Sequence, residues 1–174
     1  MHDEREVIRG FIAGNHGCFE ELIMKYRGSA TSFARKYVHD LFVAEDIVQE
    51  SFAQVYVYRQ RYKEGYSFKT YLFSIVKHKC IDYIRKNKAI PMDELPESEG
   101  DDLEDVVLAR EKSNLIRDKM KQLKKEYQVV IHLVDLEGFS YGETAKIMGK
   151  NLGQVRVLLF RARRKLKTLV EGEV

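Results

Sequence analysis

Apolar positions recur at helical spacing along nearly the whole chain. Phe19, Leu22, Ile23 and Tyr26 follow an i, i+3, i+4, i+7 pattern, and Ile47, Val48, Phe52 and Val55 keep a similar register. A third series runs from Tyr71, Leu72, Ile75 and Val76 through Ile81 and Ile84. A further set comprises Leu115 and Met120, then Tyr127, Val130, Ile131 and Leu133 or Val134. No sustained period-two run bounded by hairpin turns occurs, so the pattern predicts an all-α protein. It is interrupted once, at KAIPMDELPESEGDDLED, residues 88–105, which holds both prolines of the chain and eight acids against one lysine. Proline, glycine and like-charge repulsion all oppose packing there. The expected architecture is two small helical domains, 1–90 and 110–174, joined by an acidic flexible linker over 91–109. Whether the linker only tethers or has a role of its own, composition leaves open.

Residues 137–151, EGFSYGETAKIMGKN, contain two helix boundaries. Gly138 is a helix stop, and Ser140 followed by Glu143 has capping-box spacing, so a helix should start near Tyr141. It should end at Gly149, and a second helix should begin near Leu152. So short a turn forces the two helices close together, with Ala145 as the small residue at the crossing and Val155 facing it. This is a helix-turn-helix pattern, although an ordinary helical corner has the same spacing.

Charge separates these alternatives. The second helix, LGQVRVLLFRARRKLK over 152–167, has six basic residues and no acid, in a chain whose net charge is only +3. One or two cations at a helix C-terminus complement the helix dipole. Six call for a polyanion. Arg156 comes early, Phe160 and Arg161 follow about one turn later, and Arg163, Arg164, Lys165 and Lys167 form a cationic tail. That order suits base contacts first and phosphate contacts after.

The first domain has a second candidate. In VYVYRQRYKEGYSFKTYLF, residues 55–73, rings alternate with Arg59, Arg61, Lys63 and Lys69. Single-stranded nucleic acid needs both, π-faces for its bases and cations for its backbone. Phe68, Tyr71 and Phe73 are expected to be at least partly core. Tyr62 and Tyr66 flank Gly65 in a predicted loop and are the better candidates for exposure. The next helix, VKHKCIDYIRKNK over 76–88, is again cationic, with Asp82 its one acid. His78 and Cys80 make a poor zinc site without two further ligands nearby. The two cysteines, Cys18 and Cys80, are isolated and suggest a reducing compartment. The charged N-terminus lacks the apolar run of a signal peptide, and no stretch is long and apolar enough for a membrane span. The cytoplasm is the expected location.

Taken in order, the segments resemble those of a bacterial extracytoplasmic-function (ECF) sigma factor of the sigma-70 family, in its minimal form of region 2 and region 4. AEDIVQESFAQVY, residues 44–56, is similar to the family's block that docks on RNA polymerase. The resemblance makes Asp46, Ile47, Gln49, Glu50, Phe52 and Gln54 the core polymerase-binding set, with Ile47 and Phe52 able to face inward and the polar residues outward. SFKTYLFSIVKHKCIDYIRK, residues 67–86, is similar to the block that, with its preceding loop, captures unpaired bases of the −10 element. It assigns Tyr62, Lys63, Tyr66, Lys69, Lys77, His78 and Arg85 to −10 single-stranded DNA. The helix-turn-helix over 141–160 resembles the −35 reader and assigns Gln154, Arg156, Val157, Phe160, Arg161 and Arg163 to −35 DNA. The acidic linker falls where relatives thread a connector toward the active-centre cleft of polymerase.

The chain also departs from the family pattern. Tyr58 and Tyr71 stand where tryptophan is usual, His78 where asparagine is, and Lys150–Asn151 where Ile-Ser is common. Gln154 replaces threonine. Val157 and Leu158 replace Ser-Arg at the centre of the recognition helix, which puts the base preference of these positions in question. Val157 can meet a thymine methyl, and Leu158 can pack inward beside Val155.

The resemblance implies a non-enzymatic subunit that binds core RNA polymerase and directs promoter recognition and transcription initiation. It needs no cofactor or metal, and an anti-sigma factor is its expected regulator. Two alternatives remain at this stage. A stand-alone helix-turn-helix regulator of duplex DNA leaves residues 44–56 and the aromatic stretch unexplained. An RNA- or single-strand-binding enzyme with an unrecognised site would require turnover dependent on Asp46, Asp82 or His78.

Overall fold

A computed structural model describes residues 3–88 and 107–172, with side chains from residue 114 in the second segment. The linker predicted over 91–109 lies almost wholly outside the described residues. The described chain is helical and forms two compact units, one on each side of residues 98 and 99.

The first unit contains α1 (Glu4–Ile12), α2 (His16–Ala34), α3 (Leu41–Val57) and α4 (Phe68–Asn87), with a 3-10 turn at Arg59–Arg61. Each helix starts on a side-chain cap. Asp3 accepts from the Arg5 N–H, Asn15 from Cys18, Asp40 from Phe42 and Val43, and Ser67 from Thr70. These caps satisfy amides that have no partner within the helix. Helix α1 is an addition to the sequence reading, which took the N-terminus only as charged. Its Val7 and Phe11 are buried, one turn apart in a helix of only nine residues, too short to repeat the pattern.

Helix α2 is central and packs against α1, α3 and α4. The core is rich in rings: Phe33 stacks on Phe73 with centroids 4.9 Å apart, and Phe11 meets Phe68 edge-on at 5.9 Å. Offset and edge-on pairs of this kind add about 0.5–1.5 kcal/mol beyond simple burial. Gly10 lets α1 and α2 approach closely, because a Cβ there would lie 2.3 Å from the Cys18 sulfur and force that side chain to move.

The second unit contains α5 (Val107–Lys121), α6 (Lys125–Ile131), α7 (Tyr141–Met148) and α8 (Leu152–Glu171). Its core joins Met120, Leu123, Val130, Ile131, Ala145, Val155, Leu159 and Ala162. Between α6 and α7 lies a π-helical turn, His132–Leu136. The sequence left open whether Leu133 or Val134 continued the apolar stripe. The π turn explains that ambiguity, because one wider turn shifts the register. Leu133 is fully buried and Val134 only partly so.

Candidate functional site

The turn between α7 and α8 has the predicted chemistry. Ser140 and Glu143 form a reciprocal capping box at the start of α7. Gly149 closes that helix at φ 67°, a left-handed conformation that costs an L-residue roughly 1–2 kcal/mol. Asn151 then caps α8, and Gln154 completes a second capping box by accepting the Asn151 N–H at 3.0 Å. The side-chain carbonyl of Gln154 is therefore engaged in holding the helix start. Lys150, one of the departures from the family pattern, reaches Glu126 of α6 at 3.2 Å.

Helix α8 has two sides. Val155, Leu159 and Ala162 are buried, while Arg156, Val157, Phe160, Arg161, Arg164, Lys165 and Lys167 are exposed. Leu158 packs partly against the core, as its replacement of a cation allowed. Phe160 is 66% exposed and Val157 50%, two apolar side chains among the cations of this face. A groove of about 490 Å³ opens along this face, lined by Tyr141, Arg156, Leu159, Phe160, Arg163, Arg164 and Lys167. Four cations around an apolar floor suit a polyanion with flat, partly apolar bases. Arg163 differs from its neighbours: it is paired with Asp135 by a two-pronged contact, which raises its pKa further above the usual arginine range.

In the first unit, α3 presents Asp46, Gln49, Glu50 and Gln54 outward and buries Ile47 and Phe52. The two apolar members of the predicted polymerase set thus orient the helix, and the polar members form its outer face. Two residues missing from the sequence reading extend that face. Phe42 is 77% exposed and Val57 is 65% exposed. Phe42, Asp46, Gln49, Ala53 and Val57 succeed one another at steps of three and four, one stripe of the helix. That spacing was visible in the sequence, but nothing there distinguishes an exposed phenylalanine from a core one.

The predicted single-strand set spans the loop before α4 and the helix itself. Tyr66 is 49% exposed at the loop tip. Tyr62 is not: its ring packs 5.3 Å from Tyr71 and 6.2 Å from Phe68, and its hydroxyl donates to the Tyr66 carbonyl at 2.8 Å. Of the two tyrosines expected as candidates for exposure, Tyr66 is exposed and Tyr62 is half-buried. Tyr62 acts as a post that shapes the loop, because it falls beside the rings that begin α4. Burial, and then the Glu4 and Glu64 carboxylates, raise its pKa, so it remains a neutral donor at physiological pH. Phe68 and Phe73 are core, as expected, and Tyr71 is half-buried.

Lys63, His78 and Arg85 are exposed, Lys77 is half-buried, and the Lys69 ammonium lies 5.6 Å over the Phe73 ring. From Lys69 to Arg85 these positions extend along most of α4, about 24 Å at 1.5 Å per residue, and do not form one pocket. Tyr83, also on this helix and 38% exposed, was not anticipated. Arg59 and Arg61 stack on Tyr56 and Tyr58, so part of the ring-cation alternation in the sequence is satisfied within the chain.

Two family models match the chain: sigma-70 region 2 over residues 22–90, and sigma-70 region 4 over residues 113–166. The chain belongs to the sigma-70 family. RNA polymerase sigma factor YlaC of Bacillus subtilis is 28% identical over 154 residues, covering 85% of this chain and 89% of YlaC. The ECF RNA polymerase sigma factor SigM of the same organism is 27% identical over 153 residues, covering 86% and 93%. The fold is similar to CnrH, solved with the cytosolic domain of CnrY, at TM-score 0.72 and 22% identity over 98% of this chain and 99% of that one. It is also similar to RpoE of Bartonella quintana, solved with the anti-sigma factor NepR, at TM-score 0.71 and 21% identity over 88% and 96%.

This sigma factor is of the ECF group and directs transcription initiation. The reading as a stand-alone duplex-DNA regulator is not favoured, because region 2 and region 4 are both present and in order. Among the described residues no helix is long and apolar enough to cross a membrane.

Proposed function

We propose that this sigma factor divides its work between domains with boundaries near 1–90 and 110–174. The first holds core polymerase through the outer face of α3, with Phe42 and Val57 added to Asp46, Gln49, Glu50 and Gln54. It takes the unpaired −10 strand along α4 and the loop before it, where Tyr66 offers a ring and Lys63, Lys69, Lys77 and Arg85 offer charge. The second lays α8 on the −35 duplex, with Arg156, Val157, Phe160 and Arg161 toward the bases. The observation that carries this assignment is the two-sidedness of α8 directly after a capped, glycine-closed turn. A basic face with an exposed Phe160 has no use inside its own domain.

In this reading the chain works in the cytoplasm, performs no catalysis of its own and needs no cofactor. An anti-sigma factor is its regulator, a proposal supported by RpoE having been solved with one. Run-off transcription with purified core polymerase tests the assignment. Initiation should depend on this chain and fall with Phe42→Ala and Phe160→Ala separately. A folded chain that does not co-elute with core polymerase in gel filtration would refute the α3 assignment.

A further inference from the structure

Among the cations of α8, Arg163 has an unusual set of partners. Its Nε donates to Asp135 Oδ2 at 3.1 Å and its Nη2 to Asp135 Oδ1 at 2.5 Å, and Tyr141 lines the same groove. Asp135 belongs to the π turn and Tyr141 is the first residue of α7. One side chain therefore ties the recognition helix to the π turn 28 residues earlier.

The pair is too exposed to hold the domain together. The Arg163 side chain is 49% exposed and Asp135 is 34% exposed. Pairs of that kind contribute about 0–1 kcal/mol to stability. The helix is already fixed to its core by Val155, Leu159 and Ala162. A planar fork does, however, set orientation, because both of its hydrogen bonds hold only over a narrow range of angles. It also neutralises one cation on a face otherwise suited to phosphates. If Arg163 turned to a phosphate, the Asp135 carboxylate would be left unpaired beside a polyanion, which opposes the exchange.

We propose that Arg163 is a strut and not a DNA contact, and that Asp135 is the positioning residue that makes it one. Asp135 withholds this guanidinium from the DNA backbone and fixes the angle at which Arg156, Phe160 and Arg161 meet the bases. The inference rests on α8 being the −35 reader, and it removes Arg163 from that reader's contact set.

The test uses the full chain assembled with core polymerase and two duplex probes. One is a random-sequence duplex. The other is the upstream element enriched by the wild-type holoenzyme from a randomised pool. Asp135→Asn releases Arg163, so the slope of log K against log salt should steepen by about 0.9, the value for one added phosphate contact. Preference for the enriched over the random duplex should fall several-fold. Asp135→Glu should restore the wild-type slope and most of the preference. In the double variant Asp135→Asn, Arg163→Ala the slope should return to wild type while the preference stays low.

A double variant with a slope about 0.9 shallower than wild type would show that Arg163 already contacts a phosphate, and would overturn the proposal. So would an Asp135→Asn variant with unchanged slope and unchanged preference. A wild-type holoenzyme that enriches no upstream sequence would overturn the −35 reading and the strut with it. Circular dichroism of each variant should match wild type, because the pair lies outside the core.

Discussion

Gly149 and Gly142 stand seven residues apart in the helix-turn-helix, and replacing each by alanine should have opposite effects. Gly149 has φ 67° and ψ 35° and ends α7. Alanine in this left-handed conformation costs roughly 1–2 kcal/mol. Gly142 is the second residue of α7, and a Cβ built on it would meet the Ser140 hydroxyl at an ordinary 3.9 Å. Alanine there should stabilise by about 0.5–1 kcal/mol, since glycine loses more conformational freedom in a helix. The pair of variants should therefore differ by about 2 kcal/mol in the stability of the second domain.

Hydrogen exchange read by mass spectrometry localises the effect, because protection of amides in α7 and α8 reports that domain's opening. A difference of 2 kcal/mol corresponds to roughly a 30-fold difference in protection of the slowest amides, at tenfold per 1.4 kcal/mol. Protection in α2 and α4 should not change. Promoter binding should follow, with Gly149→Ala weakened and Gly142→Ala at least as strong as wild type. If the two variants lost protection equally, or if Gly149→Ala were neutral, the turn would not depend on a left-handed residue and the account of how α8 is placed would fail.

Three other outcomes are expected. Phe42→Ala should leave thermal stability within about 0.5 kcal/mol of wild type, as at other exposed sites, yet weaken capture of core polymerase in a pull-down by about 1 kcal/mol or more if it anchors that contact. Arg161→Ala should cost about 1–3 kcal/mol on the preferred upstream duplex and far less on a random one, whereas Lys167→Ala should weaken both equally and flatten the salt slope by about 0.9; equal loss on both duplexes for Arg161→Ala would make it a phosphate contact. Tyr26 is buried and bonded to Glu4, and both raise its pKa above the ordinary 10.0. The first domain should therefore keep the full contribution of Tyr26 below about pH 10 and lose stability progressively above it, where the unfolded chain ionises first. Denaturant titrations from pH 9 to 11 should show that decline, and Tyr26→Phe should reduce it.

Much of this protein was legible in one dimension. Helical spacing placed α2, α3, α4 and the apolar stripe of α6, because burying one side of a helix forces a period near 3.6. The turn between α7 and α8 was equally legible. Ser140, Glu143, Gly149 and Asn151 act on backbone groups within a few residues of themselves, so local chemistry suffices to read them. Charge on α8 was visible for the same reason, as a run of cations with no acid nearby.

What the sequence did not decide is which residues find partners far along the chain. Arg163 and Lys167 look alike in sequence, but Asp135, 28 residues away, takes the first into a fork. Tyr62 and Tyr66 flank the same glycine, but the rings of Phe68 and Tyr71 draw only Tyr62 inward. Phe42 and Phe52 lie on one helix, yet Phe42 is exposed while Phe52 is buried edge-on against Phe19 of α2. Periodicity records that a helix has an inside. Only packing decides which ring is covered and which cation remains available to DNA, because both depend on surfaces brought together from distant parts of the chain.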